Sequence, residues 1–566
     1  MIRGPRSGWG GIPPGGDTGQ ILAKSSEDDG DVEWSGIGIT EAEEAAGVAP
    51  TNYYYGPGDV RRYGFASGGS ASTNATALQA ALNTGHKVTI PEGAYSVDTQ
   101  SNISSNTELF AHRNAVITST SAGTPILKGA DVEDVLIDGG QWVGADTTTA
   151  IDGGDGGIIY IDNRGVNTNG NVTIRNIKVS TSATAGISCL NVNSLWIVDN
   201  EASNCADYGI LASRSRNFHI EHNYIHDSAE TGAANTYAIM ATGDDAGGES
   251  SQRCSISFNH ILNFASWDGI MSHDVTKLNI VGNTIENTRI GIDVGHIVST
   301  NVVLDIVIAN NNVHLTSTDN WGGAGAIHGG ILLIGNASTN IQRAVVSGNI
   351  VRNAFNISGG TISGDAGAIT IENCEYVAVS GNVVEGVGTV GTGVGIYMVG
   401  DIALATISGN VLDGAMGGSA IRLVSVNSSL VSITGNSISQ DTASDAAINI
   451  SSSTIAGFAM EGNATNSTAP FAQSGSTITL SDSWLRGSAT YDPASLLDGD
   501  GATTAVTVTG ASLGDFAEAS FSLDLQGITL TAWVSSSNTV SVRFQNETTG
   551  TIDLGSGTLR AKVRRA

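Results

Sequence analysis

Residues 278–285 read LNIVGNTI and residues 306–313 read IVIANNNV: an apolar residue, one spacer, an apolar residue, two spacers, Asn, one spacer, an apolar residue. The phrase recurs as LWIVDNEA (195–202), FHIEHNYI (218–225), CSISFNHI (254–261), AVVSGNIV (344–351), VAVSGNVV (377–384), ATISGNVL (405–412), VSITGNSI (431–438) and, weakly, FAMEGNAT (458–465). Its asparagines are Asn200, Asn223, Asn259, Asn283, Asn311, Asn349, Asn382, Asn410, Asn436 and Asn463, at intervals of 23 to 38 residues. NVTIRNIKV around Asn176 reads as a shortened earlier copy. Between the Asn phrases lies a second one, a small residue followed by Ile, at positions such as Gly186, Gly209, Ala238, Gly269, Gly291 and Gly330.

Each interval therefore holds two short strands with period-2 alternation, plus turns. A unit this small cannot bury both faces alone, but stacking on copies of itself does so. The reading is an all-β chain whose centre is a parallel β-helix, rising about 4.8 Å per coil and wound right-handed by the general preference of parallel crossovers. The asparagines are expected to form a ladder, each side-chain amide bonding to its neighbours on adjacent coils.

Composition narrows the function. Lys and Arg number 25 against 54 Asp and Glu, for a net charge of −29, which disfavours a nucleic-acid partner and an anionic membrane surface. Apolar runs fall short of the ~18 residues that a bilayer span needs, so no membrane insertion is expected. The start, MIRGPRSGWGGIPPGG, lacks the apolar core of a secretory signal. Cys189, Cys205, Cys254 and Cys374 show no metal or disulfide spacing and read as small buried thiols; no metal and no cofactor is expected.

The ends carry resemblances. GDVRRYGFASGGSASTNATALQAALNTGHKVTIPEGAYSV (58–97) places an amphipathic helix near 74–84 before a strand and a PEG turn, and resembles the opening of the pectate-lyase-like β-helix family of phage tailspikes, where a helix caps the first coil. GDTGQILAKSSEDDGDVEWSG (16–36) is similar to a segment of phage tail fibres. Downstream, TTAVTVTG, EASFSLDL, ITLTAWV, TVSVRFQ and TLRAKVRR alternate between turns like antiparallel sandwich strands, and this module is similar to the C-terminal modules of tailspikes. The expected organisation is an attachment and linker segment at 1–49, a right-handed parallel β-helix at 50–483, and a β-sandwich at 484–566 for trimerisation or carbohydrate binding. The resemblance implies a homotrimeric tailspike in the virion tail, joined to the phage tail or baseplate through its N-terminus. It further implies binding and depolymerisation of a bacterial surface polysaccharide.

Candidate chemistry concentrates in the central third. In the small-Ile strand, Ile270 and Ser272 point inward, so the residues between and after them point out; this puts Asp293 and His273 on one face of neighbouring coils. Glycoside hydrolysis needs one protonated acid and one carboxylate acting as nucleophile or base. A β-helix supplies separations of about 5 Å between equivalent positions one coil apart and about 9.6 Å two coils apart. Asp268 and Asp293 are the first pair, with His273 tuning one of them, and Glu221 and Glu286 the reserve pair. Trp267, Tyr237, Tyr208 and Trp321 offer ring faces for sugars; Arg289 and His296 are further substrate-binding candidates. A polysaccharide lyase on the same fold would use His273 as base with Arg289 or Tyr237, and a non-catalytic receptor-binding protein would use the same surface only to bind.

Overall fold

The structure is a computed structural model that describes residues 20–24, 32–36 and 38–564, apart from 85–86, 152–153, 166–169, 230–235, 244–250, 265–266, 297–301, 316–328, 337–339, 355–366, 387–392, 415–417, 441–445 and 481–483. The chain divides into two compact units, one running to Ile478 and one comprising Thr479–Ala566 with Gly457–Ala459.

The first unit is a parallel β-helix whose strands join into one 41-stranded sheet. A representative coil contains a long strand, Val275–Val281, a three-residue strand, Thr284–Glu286, and a third strand, Ile290–Gly295. The next coil repeats them as Leu304–Ala309, Asn312–His314 and Gly329–Ile334, in parallel register: Leu278 with Ile306, Ile285 with Val313, Ile292 with Ile331. Each coil thus has three strands where the sequence phrases suggested two. The Asn phrase straddles a corner, because the residue before the ladder asparagine adopts a left-handed conformation that ends the long strand. Gly282 has φ +71°, Gly348 +65° and Asn310 +56°, and the same position is filled by His222 (+57°) and Phe258 (+56°), residues that adopt this conformation at a cost.

At that corner the ladder runs unbroken. Asn283 Nδ2 donates to Asn311 Oδ1 at 2.9 Å and to the Ile256 carbonyl at 2.9 Å, while its Oδ1 accepts from the backbone N–H and Nδ2 of Asn259 at 2.9 and 3.0 Å. The pattern links all ten asparagines, from Asn200 to Asn463. Both amide hydrogens and both lone pairs are used, which is how a buried primary amide avoids a desolvation penalty. Asn176 does not belong to the ladder. Arg175 pairs with Val198, so Asn176 (φ +55°) falls level with the left-handed Asp199, and Ile177 takes the ladder position, its N–H bonding Asn200 Oδ1 at 3.1 Å.

The coil interior is filled by Ile, Val and Leu that are fully buried, among them Ile280, Ile285, Ile292, Ile308 and Val313. Space before the inward Ile is tight, and at Gly269 it excludes a side chain: a Cβ there would lie 2.6 Å from Ile285 Cγ2 and 2.8 Å from the Gly291 carbonyl. The capping helix runs Ala71–Thr84, three residues longer at its start than the sequence suggested, because the Ser70 hydroxyl accepts the Thr73 N–H. Ahead of it, Glu43 and Arg62, both fully buried, form an ion pair completed by Tyr63 Oη at 2.9 Å.

The second unit is an antiparallel sandwich. One sheet contains Trp484–Tyr491, Gly557–Arg564 and Phe516–Phe521, the other Gly501–Thr507, Thr539–Asn546 and Ile528–Ser536. Val506, Val540, Val542, Phe544, Leu559 and Val563 fill the space between them. All four cysteines are buried and free. Among the described residues no helix is long and apolar enough to cross a membrane.

Candidate functional site

The third strand of successive coils builds the site. Tyr208, Tyr237, Asp268 and Ile290 share one register position; three residues on, Leu211, Met240, Met271, Asp293 and Leu332 share another. Asp268 and Asp293 therefore sit on adjacent coils but three residues out of register. With ~3.3 Å per residue along a strand and ~4.8 Å between strands, their Cα atoms lie roughly 11 Å apart, so neither equal-register spacing applies.

Asp268 is fully buried, and neither of its carboxylate oxygens has a hydrogen-bond partner among the described residues. Burial, reinforced by the charge of Asp293 and opposed by that of Arg289, pushes its carboxyl well above the usual range. Burial pushes the half-buried Asp293 up to about 7. Arg289 is 4% exposed, and its guanidinium lies 3.9 Å from the centre of the Trp267 ring. Burial lowers the Arg289 pKa from its ordinary value, against the opposing influence of Asp268 and Tyr237. The structure thus gathers Trp267, Tyr237, Asp268, Arg289 and Asp293 into one electrostatic neighbourhood.

His273 is half-buried, level with Thr242 and Gly295, so it lies diagonally from Asp293 as the alternation implied. Just beyond the two strands, Asp274 and His296 form a buried pair, Nδ1 to Oδ1 3.5 Å, each side chain 1% exposed. His296 Nε2, Ser272 Oγ, Thr236 Oγ1 and Thr288 Oγ1 are buried without a hydrogen-bond partner among the described residues. The described residues contain no cluster of His, Cys, Asp and Glu able to hold a metal.

Other candidates fall elsewhere. Tyr208 stacks on Tyr237 with ring centres 5.8 Å apart and packs against an apolar cluster of Tyr160, Ala185, Leu190 and Leu211. Glu221 ends a long strand, 3.1 Å from His219 Nδ1 and 3.2 Å from the Ser257 hydroxyl. Glu286 lies in a short strand two coils further on, across the Asn corner and level with Leu262 and His314, so the reserve carboxylates are not brought together. Trp321 lies outside the described residues. Tyr160, level with Ser188, was missed in the sequence because Ile158 stands where later coils carry the small residue.

Fold and cluster together define a class: a parallel β-helix with a buried, unpartnered carboxylate and a second raised one on the face of one sheet. Neither a protein-family description nor a curated protein matches the chain. Among solved structures it is similar to a mutant tailspike protein of E. coli bacteriophage HK620, at 12% identity over 97% of this chain and 97% of that one, TM-score 0.48. Another mutant of that tailspike, in complex with pentasaccharide, is 13% identical over 97% and 98%, TM-score 0.39. The N-terminal fragment of bacteriophage phi29 gene product 12 is 14% identical over 74% of this chain and 93% of that one, TM-score 0.39. At these identities the likeness is one of fold.

Proposed function

We propose that this chain is a phage tailspike that binds a bacterial surface polysaccharide and cleaves it by glycoside hydrolysis at Asp268 and Asp293. The observation that carries the reading is Asp268: a carboxylate with no exposure and, among the described residues, no hydrogen bond, whose charge is coupled to a second carboxylate on the next coil and to a buried arginine. Such an arrangement costs stability and gives no fold a benefit, which is the mark of a group kept for chemistry.

In this reading Asp268, its carboxyl raised by burial, delivers its proton to the leaving glycosidic oxygen, and half-exposed Asp293, whose carboxyl titrates at about 7, takes a proton from the attacking water in its ionised form. The three-residue register offset favours the wider separation of an inverting pair, with room for that water. Arg289, braced on Trp267, favours the ionised form of Asp268, makes loss of both protons less unfavourable than it would be without a cation there, and so sets how the pair shares its charge. Substrate entry parts the Trp267–Arg289 stack, because Asp268 is closed to solvent as it stands. His273 orients Asp293 or the sugar beside it.

A lyase reading is favoured by one observation, the buried Arg289, which suits neutralisation of a uronate while His273 abstracts the proton. The homotrimer belongs to the same proposal. It is supported by the resemblance of the C-terminal module and by Val345, Tyr376, Leu404 and Leu430, apolar residues 38–45% exposed on the outward face of the long strands. Attachment to the tail through the N-terminus, and so a place in the virion tail, rests on the resemblance of residues 16–36. Incubating the purified chain with extracted capsule or lipopolysaccharide tests the activity. New reducing ends without the ultraviolet absorbance of an unsaturated uronate support hydrolysis; that absorbance indicates the lyase; neither product indicates a binding protein.

A further inference from the structure

The outer face of one sandwich sheet departs from the charge of the chain as a whole. Across its three strands the registers align Arg486, Lys562 and Glu518 in one row and Ser488, Arg560 and Ser520 in the next, and Arg564 lies level with Phe516. Side chains two apart on a strand share a face at roughly 7 Å spacing. Arg560, Lys562 and Arg564 therefore form a line of cations along the central strand, with Arg486 beside them. All four are exposed. The one carboxylate in these rows, Glu518, bonds Lys562 at 2.9 Å. The depression over the rows has a volume of about 730 Å³. At its edge Phe516 is 60% exposed, with the Arg564 guanidinium 5.3 Å from its ring centre.

A chain with a net charge of −29 gains nothing in solubility from gathering cations on one face. We infer that this sheet face is a binding site for a carboxylate-bearing polysaccharide, separate from the Asp268 and Asp293 site. The inference rests on the reading that the chain binds polysaccharide. The chemistry fits that ligand class: guanidinium forks pair with carboxylates in a bidentate way, the serine hydroxyls bond sugar hydroxyls, and the Phe516 ring offers an apolar face to a pyranose. Glu518 on Lys562 shows the face already engaging a carboxylate. A duplex nucleic acid is disfavoured by the overall negative field.

The test is affinity electrophoresis of the full chain through gels containing polygalacturonate or neutral dextran. Polygalacturonate is expected to retard the protein and dextran not to, with retardation weakening as salt shortens the reach of surface charges. The double variant Arg486→Gln/Arg560→Gln is expected to bind about tenfold more weakly, the loss of two charge-assisted contacts, with an unchanged circular dichroism spectrum and melting temperature. Arg560→Lys should retain most of the binding. Asp268→Asn should leave retardation intact, which separates this site from the proposed catalytic one. Wild-type retardation of the double variant, or equal retardation by dextran, overturns the inference. A double variant that changes the sedimenting mass but not retardation also overturns it, because the face is then a contact between chains. Failure to cleave any polysaccharide, with polyuronate retardation intact, sinks the hydrolase reading instead.

Discussion

The Asn corner and the face of the third sheet are built on the same repeat and treat buried polar atoms in opposite ways. At the corner every amide hydrogen and lone pair from Asn223 to Asn436 has a partner, coil after coil. On the third sheet Thr236, Asp268, Ser272, Thr288 and His296, close together, and Asn449 further along, bury polar atoms with no hydrogen-bond partner among the described residues. A repeat that satisfies its polar groups by stacking is a structural device, since each copy solves the same problem in the same way. A polar group that appears in one coil only, and is left unsatisfied there, is not explained by stacking. Regularity therefore points to the scaffold and interruption to the site.

Breaking the ladder should give the largest change in stability. Asn311→Ala removes the acceptor of the Asn283 backbone N–H and of one Asn283 amide hydrogen on one side, and on the other the side-chain donor to the Ile280 carbonyl and to Asn349 Oδ1, which keeps only the backbone N–H of residue 311. At ~1–3 kcal/mol for leaving a buried group unsatisfied, with partial relaxation, the cost is about 3 kcal/mol in urea unfolding. Asn463→Ala, at the exposed end of the ladder, should cost about 1 kcal/mol because water replaces the lost partner. Equal costs at the two positions would show that the ladder is not cumulative.

The site should respond with the opposite sign. Asp268→Leu removes a buried acid that nothing bonds and is expected to stabilise the β-helix by about 1 kcal/mol. A loss of stability would mean that Asp268 holds the coil together.

The pH response reads the same face through its charge. Asp293 has its folded pKa raised to about 7, above the ordinary carboxylate value, so between about pH 4 and pH 7 the folded state holds more protons than the unfolded one. Stability then falls as pH rises through that window, and Asp268, whose carboxyl is raised in the same direction, adds to the fall. Asp293→Asn should flatten the slope; an unchanged slope would remove Asp293 as its source.

The smallest effect concerns Phe258, which holds a left-handed φ of +56° where Gly282 and Gly348 do so without a Cβ. Phe258→Gly is expected to be neutral or to stabilise by up to ~1 kcal/mol, because relief of strain is offset by loss of the stack on His222, whose ring centre is 5.3 Å away. A loss well beyond that range would give the stack an unexpected structural weight.

The ladder was legible residue by residue because Asn at that corner is chosen for one reason in every copy. Asn176 misled because asparagine also suits the left-handed position one residue earlier, so the letter alone does not fix the register. The short middle strand of each coil, such as Thr284–Glu286, was hidden because it is only three residues long and its apolar residue also ends the Asn phrase. The shared face of Asp293 and His273 followed from the outward columns, but the three-residue offset between Asp268 and Asp293 did not, since Asp268 opens the strand level with Ile290 and stands outside those columns. The basic sheet face went unread because Arg560, Lys562 and Arg564 look like ordinary exposed positions of a strand until Arg486 is aligned beside them.

The central claim is that the interrupted face, and not the ladder, carries the chemistry. The direct measurement is the rate of appearance of reducing ends from a bacterial surface polysaccharide, per folded molecule, for wild type, Asn311→Ala, Asp268→Asn and Asp293→Asn at a temperature where all four are folded. The account predicts a wild-type rate for Asn311→Ala and a loss of about a thousandfold for each aspartate variant, with polysaccharide binding retained. Aspartate variants that cleave as fast as wild type would contradict it.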